Sequence, residues 1–383
     1  MKSKYNFIPK SVKKLLRKTV IYRNRAIRKA DIVALNEVDI YLNEAPVLLL
    51  KKELAKKPRV AIIKDKETLN GYVNPKASWL RYERFCKNNN IPYGFYDVER
   101  SDWMQEAEKY DIFVCHTPSN PAFQEIIESK IYILEKFMNK HCFPSYHEVW
   151  QYENKNRANF LYQVYNLPTI PTKVTNSKAE ANELINMANY PFITKTTIGA
   201  GSTGVSKISS KTEASRLVNK IFSDNGLKTQ YKYQNQKDYF YVQEFIDDAT
   251  FDLRIMLVGD MAFGYYRYPD KGDFKASGSG NYEKKAIPFE ALNLAVDVRN
   301  KLKSRQMGVD LLYSEKTKQY YIIETSLFNQ IDTPEQLVID GVAGYYDIFD
   351  MKNVQFKEGK FWIQELLLRN IIEEWVMSYK ENN

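Results

Sequence analysis

The stretch PFITKTTIGAGSTGVSKI, residues 191–208, decides how this chain is read. Pro191–Lys195 is a short apolar run that ends in a lysine, a strand pattern. Gly199-Ala200-Gly201-Ser202-Thr203-Gly204 follows and formally matches GxGxxG. In a dinucleotide fold that fingerprint follows a strand and opens a helix, so that a pyrophosphate meets the helix N-terminus. Here Val205–Ile208 alternates as a strand does, and helix signals return only at the capping box Ser210-Lys211-Thr212-Glu213. The glycine loop is therefore read as the tip of a β-hairpin. No GKS or GKT follows, so a P-loop lysine is absent. Such a tip either folds over phosphates and donates backbone N–H groups to them, or is an ordinary loose turn.

Two more hairpins lie downstream. Leu253–Val258 and Met261–Tyr268 flank the turn signal Gly259-Asp260. Gly308–Tyr313 and Tyr320–Thr325 flank a charged turn centred near residue 317, which makes Asp310 and Glu324 cross-strand neighbours, roughly 5 Å apart at Cβ. Facing carboxylates on apolar strands repel and raise a pKa unless a cation stands between them. Paired oxygen ligands suit Mg²⁺ together with nucleotide phosphates, the alternative being two edge carboxylates facing solvent. Asp252-Leu253-Arg254 leads into an apolar strand, and Lys275 follows Gly272-Asp273-Phe274. Each of Lys155, Lys195, Arg254 and Lys275 alone reads as a surface charge. Around a glycine tip and a carboxylate pair they supply what a triphosphate needs.

Upstream, residues 58–150 read as a small α/β unit. Arg59–Ile63, Ile91–Val98 and Asp111–Cys115 are strand-like. The stretch 76–89 is helical, with Trp79, Tyr82, Phe85 and Cys86 on one face, and Ala122–Asn139 is a long helix. Strands separated by helices predict parallel βαβ winding. Asn154–Tyr165 and Ala291–Lys303 read as helices, and the polar residues 223–238 as a surface insertion. Trp362–Tyr379 reads as a closing helix with Ile363, Leu366, Leu367, Ile371 and Trp375 on its core face.

Length and charge narrow the classes further. A chain of 383 residues predicts two or three domains. Three cysteines (Cys86, Cys115, Cys142) and three histidines (His116, His141, His147) form no CxxC, HExxH or HxH spacing, which argues against a disulfide scaffold, a zinc finger or a zinc hydrolase. Cys115-His116 at a strand end is read as core packing plus a turn. The formal charge is +9, yet residues 1–30 hold eleven Lys/Arg and no acid, so the body is slightly acidic. A nucleic-acid enzyme spreads its basic stripe over the fold, so that class recedes. Val12, Leu15, Leu16 and Val20 give the basic segment an amphipathic helical pattern. It fits an anionic membrane surface, an acidic partner, or a solvated helix packed on the body. No apolar h-region and no run of eighteen apolar residues occurs. The expected location is the cytoplasm, with the inner membrane face as a peripheral option.

These pieces, in this order, resemble the ATP-grasp superfamily over about residues 58–330, most nearly its ribosomal-protein glutamate ligase and glutathione synthetase branch. The resemblance implies ATP and one or two Mg²⁺ ions as cofactors. Lys155 and Lys195 would contact the nucleotide phosphates, and Gly199, Gly201, Ser202, Thr203 and Gly204 would cover them. The hinge strand carrying Gln243, Glu244, Phe245 and Ile246 would hold adenine, and Asp252 the ribose. Arg254 and Lys275 would reach the transferred phosphate or acyl intermediate. Asp310 and Glu324 would hold metal. The family's Glu-x-Asn is Glu324-Thr325-Ser326 here, so Ser326 is a poorer third ligand and Asn329 a nearby substitute.

The expected fold class is α/β, with an α+β C-terminal body: an ATP-grasp fold behind a small parallel α/β domain. The expected domains are a basic helical arm (1–57), the small α/β domain (58–150) and an ATP-grasp body (151–383), itself divided at about residue 245. The implied activity is ATP-dependent ligation of a carboxylate to an amine through an acyl phosphate, on a small molecule, glycan, peptide or cell-envelope precursor. A phosphotransferase acting on a hydroxyl and a non-catalytic nucleotide-binding adaptor are the alternatives. A dinucleotide oxidoreductase fits worst.

Overall fold

The computed structural model describes residues 33–65, 72–117, 119–199, 203–231, 233–328 and 333–381. The basic segment 1–30 and the helix expected in it lie outside the described residues, as do Gly201, Ser202 and Asn329.

Four short strands open the fold: β1 (Val60–Ile62), β2 (Tyr93–Phe95), β3 (Ile112–Val114) and β4 (His141–Phe143). They pair in parallel in the order β2-β1-β3-β4. Every residue of β1 and β3 is buried, as a parallel sheet covered on both faces requires. Three of these strands match the expectation; the fourth, three residues led by a histidine, is too short for a pattern. Helices α1 (Ser78–Asn88) and α2 (Pro121–Lys136) flank the sheet. α2 starts where the Asn120 side chain accepts from the Ala122 and Phe123 N–H groups and Pro121 takes the first helical position. α3 (Tyr146–Gln151) opens on a complete capping box between Ser145 and Glu148. α4 (Lys155–Val164) opens on Asn154, whose side chain accepts from Arg157 N–H.

A second sheet, antiparallel throughout, is built from β5 (Thr172–Thr175), β6 (Phe192–Lys195), β7 (Val205–Ile208) and β8 (Phe240–Glu244), in the order β5-β8-β6-β7. Lys195 stands opposite Val205, so the glycine loop is a hairpin tip, as its sequence context indicates. Helices α5 (Lys178–Met187) and α6 (Lys211–Ile221) close the core around Phe192, Ile208 and Phe240.

The third sheet contains β9 (Asp252–Val258), β10 (Met261–Arg267), β11 (Gln306–Ser314), β12 (Gln319–Ser326), β13 (Leu337–Ile339) and β14 (Val342–Asp347), in the order β12-β11-β9-β10-β14-β13. Helix α7 (Phe289–Lys301) packs on β9 and β11 through Ala291, Leu292, Ala295 and Val298, all buried. The closing helix α8 (Ile363–Glu381) touches β9 but lies mainly against α1 and the ends of β3 and β4. It thus ties the body to the N-terminal sheet.

Polar anchors fix that union. Glu365 of α8 is fully buried; it accepts from Arg84 Nη1 at 2.8 Å and from Leu48 N at 3.3 Å. Arg84 Nη2 donates to Ala45 O at 2.8 Å, and Trp362 Nε1 to Leu42 O at 2.9 Å. Glu148, also buried, accepts from Arg305 N at 2.7 Å and Ser304 Oγ at 3.1 Å. Residues 223–238, expected as a surface insertion, are mostly exposed or half-buried. They form a hairpin of Leu227–Lys228 with Asn235–Gln236 that bridges two units. Tyr233 OH donates to Asn120 Oδ1 at 2.8 Å, and buried Gln236 accepts from Thr197 N at 2.7 Å. Among the described residues no helix is long and apolar enough to cross a membrane.

Glu365→Leu would leave Arg84 buried without its anion. Its unfolding free energy in a urea titration should fall by about 3–5 kcal/mol. Glu315→Gln, which breaks an exposed pair with Lys318, should move it by less than about 1 kcal/mol.

Candidate functional site

A cavity of about 650 Å³ opens between the second sheet and the strands β9, β11 and β12. Ile170, Ile193, Val205, Phe251 and Leu312 give it apolar wall, and Phe245 meets Phe274 edge to face at 5.8 Å. Lys207 Nζ sits 4.6 Å over the Phe245 ring. Lys155, Lys195, Asp252, Asp310 and Glu324 share the same lining. Aromatic and aliphatic surface together with clustered charge suits a flat ring with an anionic tail.

Gly199, Gln243, Glu244, Ile246 and Lys275 also line the cavity. Thr203 and Gly204 do not. Gly204 serves the loop instead: its φ is 81°, and a Cβ there would stand 2.0 Å from Thr196 Oγ1, so only glycine fits. Arg254 stands off the cavity wall and reaches the site through Asp310.

The two lysines arrive by different routes. Lys155 is the first residue of α4, fixed by the Asn154 cap. Its Nζ donates to Gly199 O at 2.6 Å and lies 3.4 Å from Glu324 Oε1, which holds the base of the glycine loop against β12. Lys195 ends β6, and its Nζ donates to Ile323 O at 3.3 Å. Burial pushes the Lys195 ammonium down to about 8, against the opposing pull of Glu324. The acceptor carbonyl is available because Ile323 is a bulge. Asp310 pairs with Glu324 while Leu311 pairs with Ile322, so Ile323 faces no partner. Without that extra residue Glu324 would slip to the opposite face of the strand.

A row of charge crosses the third sheet. Arg254 is the register partner of Asp310, and Asp252 of Arg267. Arg254 Nε and Nη2 donate to the two Asp310 oxygens at 2.7 Å each, and Arg267 Nη2 lies 2.7 Å from Asp310 Oδ2. Arg267 Nη2 also donates to Asp252 Oδ1 at 2.6 Å. Burial alone would raise the Asp310 carboxyl, but the two guanidiniums hold it well below the usual carboxylate range. Burial and the Asp310 charge together raise Asp252. The facing carboxylates thus have their cations. Asp252 lines the cavity and anchors Arg267 through both its oxygens.

The residues present fit one hard divalent ion shared with phosphate oxygens. Asp310 and Glu324 face each other across adjacent strands and both line the cavity, and Glu324 has only the long Lys155 contact. Among the described residues no group of three His, Cys, Asp or Glu converges on a metal position. Ser326, the expected third ligand, is engaged elsewhere in the ligand-free chain. Its Oγ donates to Phe328 O at 2.9 Å, and it stands outside the cavity lining.

Sequence reading missed Arg267, Lys207 and Glu153. For Arg267 a signal existed: the Gly259-Asp260 turn sets a register that places it directly opposite Asp252. Lys207 sits on β7 within an alternating run that nothing marks as special.

Asp310→Asn would strand two guanidiniums around a buried neutral amide. Its unfolding free energy should drop by about 3–5 kcal/mol. Glu324→Gln, at a half-buried carboxylate with one long ion pair, should stay within about 1 kcal/mol of the parent by the same denaturant titration.

Comparison with known proteins agrees with this geometry. Residues 153–340 match the RimK-like ATP-grasp domain family. The alpha-aminoadipate–LysW ligase LysX of Saccharolobus solfataricus is 26% identical over 235 residues, covering 58% of this chain and 71% of LysX. Urea amidolyase of Lachancea kluyveri is 23% identical over 208 residues, covering 49% of this chain. The chain spans about a tenth of that relative's length. The solved D-alanine–D-alanine ligase of Bacillus anthracis superposes with a TM-score of 0.52 at 13% identity, over 85% of this chain and 99% of that one. The fold, with its cavity between two antiparallel sheets, is thus an ATP-grasp fold, and residues 153–340 match the RimK-like ATP-grasp domain.

Proposed function

We propose that this protein is an ATP-dependent carboxylate–amine ligase. The observation that carries the reading is the cavity itself, whose lining combines the Phe245 and Phe274 rings with Lys155, Lys195 and the Asp310–Glu324 pair. ATP would place its base against the aromatic rings and its phosphates among the lysines. Its terminal phosphoryl group passes to a substrate carboxylate, giving ADP and an acyl phosphate. The amine then attacks the acyl carbon, phosphate leaves with the bonding pair, the nitrogen gives up a proton, and an amide forms. Phosphoryl transfer needs positioning and charge neutralisation rather than a side-chain nucleophile, in keeping with a site built of cations and carboxylates. Lys155 and Lys195 neutralise the phosphates, Lys275 covers them from the loop after β10, and Arg254 and Arg267 keep Asp310 ionised. Mg²⁺, held by Asp310 and Glu324, would supply further neutralisation on the phosphates. LysX, a ligase by name, supports the reaction class.

Thermal unfolding with Mg²⁺ and ATP tests the nucleotide site. At 100 times its Kd the ligand should add about 2.7 kcal/mol of stability. Glu324→Gln should lose the Mg²⁺ dependence. A shift with NADH alone would sink the reading. Release of ADP and phosphate with a new amide separates the ligase from a phosphotransferase, which would leave a phosphoester.

Lys195 gives a second test. Its ammonium titrates near 8 in the folded, ligand-free protein, against 10.5 ordinarily. Between those values the native state holds fewer protons than the unfolded state, so this group makes stability rise with pH there. Phosphates beside Lys195 restore the proton. Binding of Mg·ATP at pH 8 should therefore take up as much as about half a proton, and almost none at pH 6.5. Calorimetry in buffers of different ionisation enthalpy measures this. Equal heats across buffers at pH 8, or uptake retained in Lys195→Met, would refute the assignment.

A further inference from the structure

A second, larger opening stands on the other side of the lysines. This cleft of about 900 Å³ lies between α2, the start of α4 and the Leu227–Gln236 hairpin. Its charge is one-sided. Glu125, Glu128 and Glu153 line it, and its one lining cation, Arg157, is bound to Glu128 at 3.0 Å. Among the described residues Glu125 and Glu153 have no ion pair, so the cleft is left anionic. Tyr132, Tyr146 and Tyr152 present ring surface beside them.

A small chamber lies between cleft and nucleotide cavity and shares lining residues with each. Glu153 and Asn154 line both cleft and chamber, while Lys155, Lys195 and Glu324 line both chamber and nucleotide cavity. The chamber, about 20 Å³, admits one group of water size. Two amides in its wall, Gln151 and Asn159, are more than nine-tenths buried, and Gln151 Oε1 and Asn159 Nδ2 lack a hydrogen-bond partner among the described residues. Glu153 Oε2 is buried beside them and makes no well-formed hydrogen bond among the described residues, the Ser119 hydroxyl being its nearest side-chain donor. Buried polar atoms without partners are rare and indicate an occupant. Glu153 also has φ 55°, a backbone that glycine adopts freely and glutamate does not, so its carboxylate is held there against local preference.

We infer that this cleft takes the amine partner of the ligation, a cationic primary amine whose ammonium sits between Glu153 and Gln151 at the chamber. The inference rests on the ligase reading. An ammonium is water-sized, offers donors to the orphan acceptors Gln151 Oε1 and Glu153 Oε2, and meets net negative charge along the cleft. The stem of the molecule stays outside, along the tyrosines. Lys155 is bound to Glu324 and Gly199 O, and it offsets the Glu153 charge only in part and without an ion pair. Burial keeps the Glu153 carboxyl above its usual range, which suits a group waiting for a cation.

The test is thermal unfolding of the full chain with 1,5-diaminopentane, against tetramethylammonium chloride at matched ionic strength, with Mg·ATP measured in parallel. The diamine should raise the midpoint saturably and tetramethylammonium should not, since it has no N–H. Glu153→Gln should abolish the diamine response and keep the Mg·ATP response. Glu153→Gly, which relieves the backbone, should melt no lower than the parent and also ignore the diamine, so a folding defect cannot mimic the result. A diamine response equal to that of tetramethylammonium, or unchanged in both variants, would overturn the site and show a chamber holding water only. A diamine response without any Mg·ATP response would instead keep the amine site and sink the nucleotide reading.

Discussion

A carboxylate buried between strands must be neutralised where it stands, and for Asp310 two guanidiniums do this from two different neighbours. Arg254 comes from the adjacent strand in direct register, Arg267 diagonally from the strand beyond. The geometry is demanding. Both arginines must lie on the same face of the sheet, and the hairpin joining β9 to β10 must close at Gly259-Asp260 and nowhere else. A slip by one residue in either strand would turn one arginine toward the apolar side, where α7 packs. The charge row is thus as much a register device as a functional site, and it explains why one face of a strand so apolar as β9 carries Asp252 and Arg254.

The same economy governs β12. The bulge at Ile323 is a single extra residue with three consequences. It brings Glu324 opposite Asp310, frees the Ile323 carbonyl for Lys195, and leaves Thr325 facing α4, where Tyr162 OH bonds its hydroxyl at 2.8 Å. The second and third sheets meet along this strand. Ile322 N donates to Pro168 O, so the chain leading into the second sheet is fastened to the same place. The cavity is therefore bounded by an irregularity, as is common where a ladder must re-aim side chains.

Much of this was legible in the chain. The hairpin nature of the glycine loop followed from the alternation of Val205–Ile208, and the Asp310–Glu324 pairing from the symmetry of the hairpin, although the bulge that makes the pairing true has no local signature. Capping residues Ser210 and Asn154 stood in plain view. What escaped depends on distance. Glu365 reads as one more charge on an amphipathic helix until α8 is laid on α1, where it meets Arg84, 281 residues away in sequence. The hairpin over residues 227–236 looks like loop because its two-residue strands are polar; its role comes from Gln236 and Tyr233 reaching other units. Strand β4 carries no pattern within three residues and exists because β3 offers an open edge.

The ligand-free site also shows where its binding energy comes from. Lys195 has a backbone carbonyl and the face of the Tyr241 ring for company, and desolvation has already weakened its hold on its proton. Asp310 is satisfied by arginines, while Glu324 is held loosely. The folded chain therefore bears the cost of bringing cations together before any anion arrives, and on the proposed reading phosphates entering the cavity would meet donors already in place. That would be electrostatic preorganisation in the sense that matters for phosphoryl transfer. It also explains the tethering of Lys155 to the glycine loop. A free lysine would lose side-chain entropy on binding, whereas one already pinned by Gly199 O and Glu324 has lost it in folding. The cost is met by the aliphatic and aromatic cores behind each sheet, so the chemistry at the cavity and the packing beneath it are parts of one energetic balance.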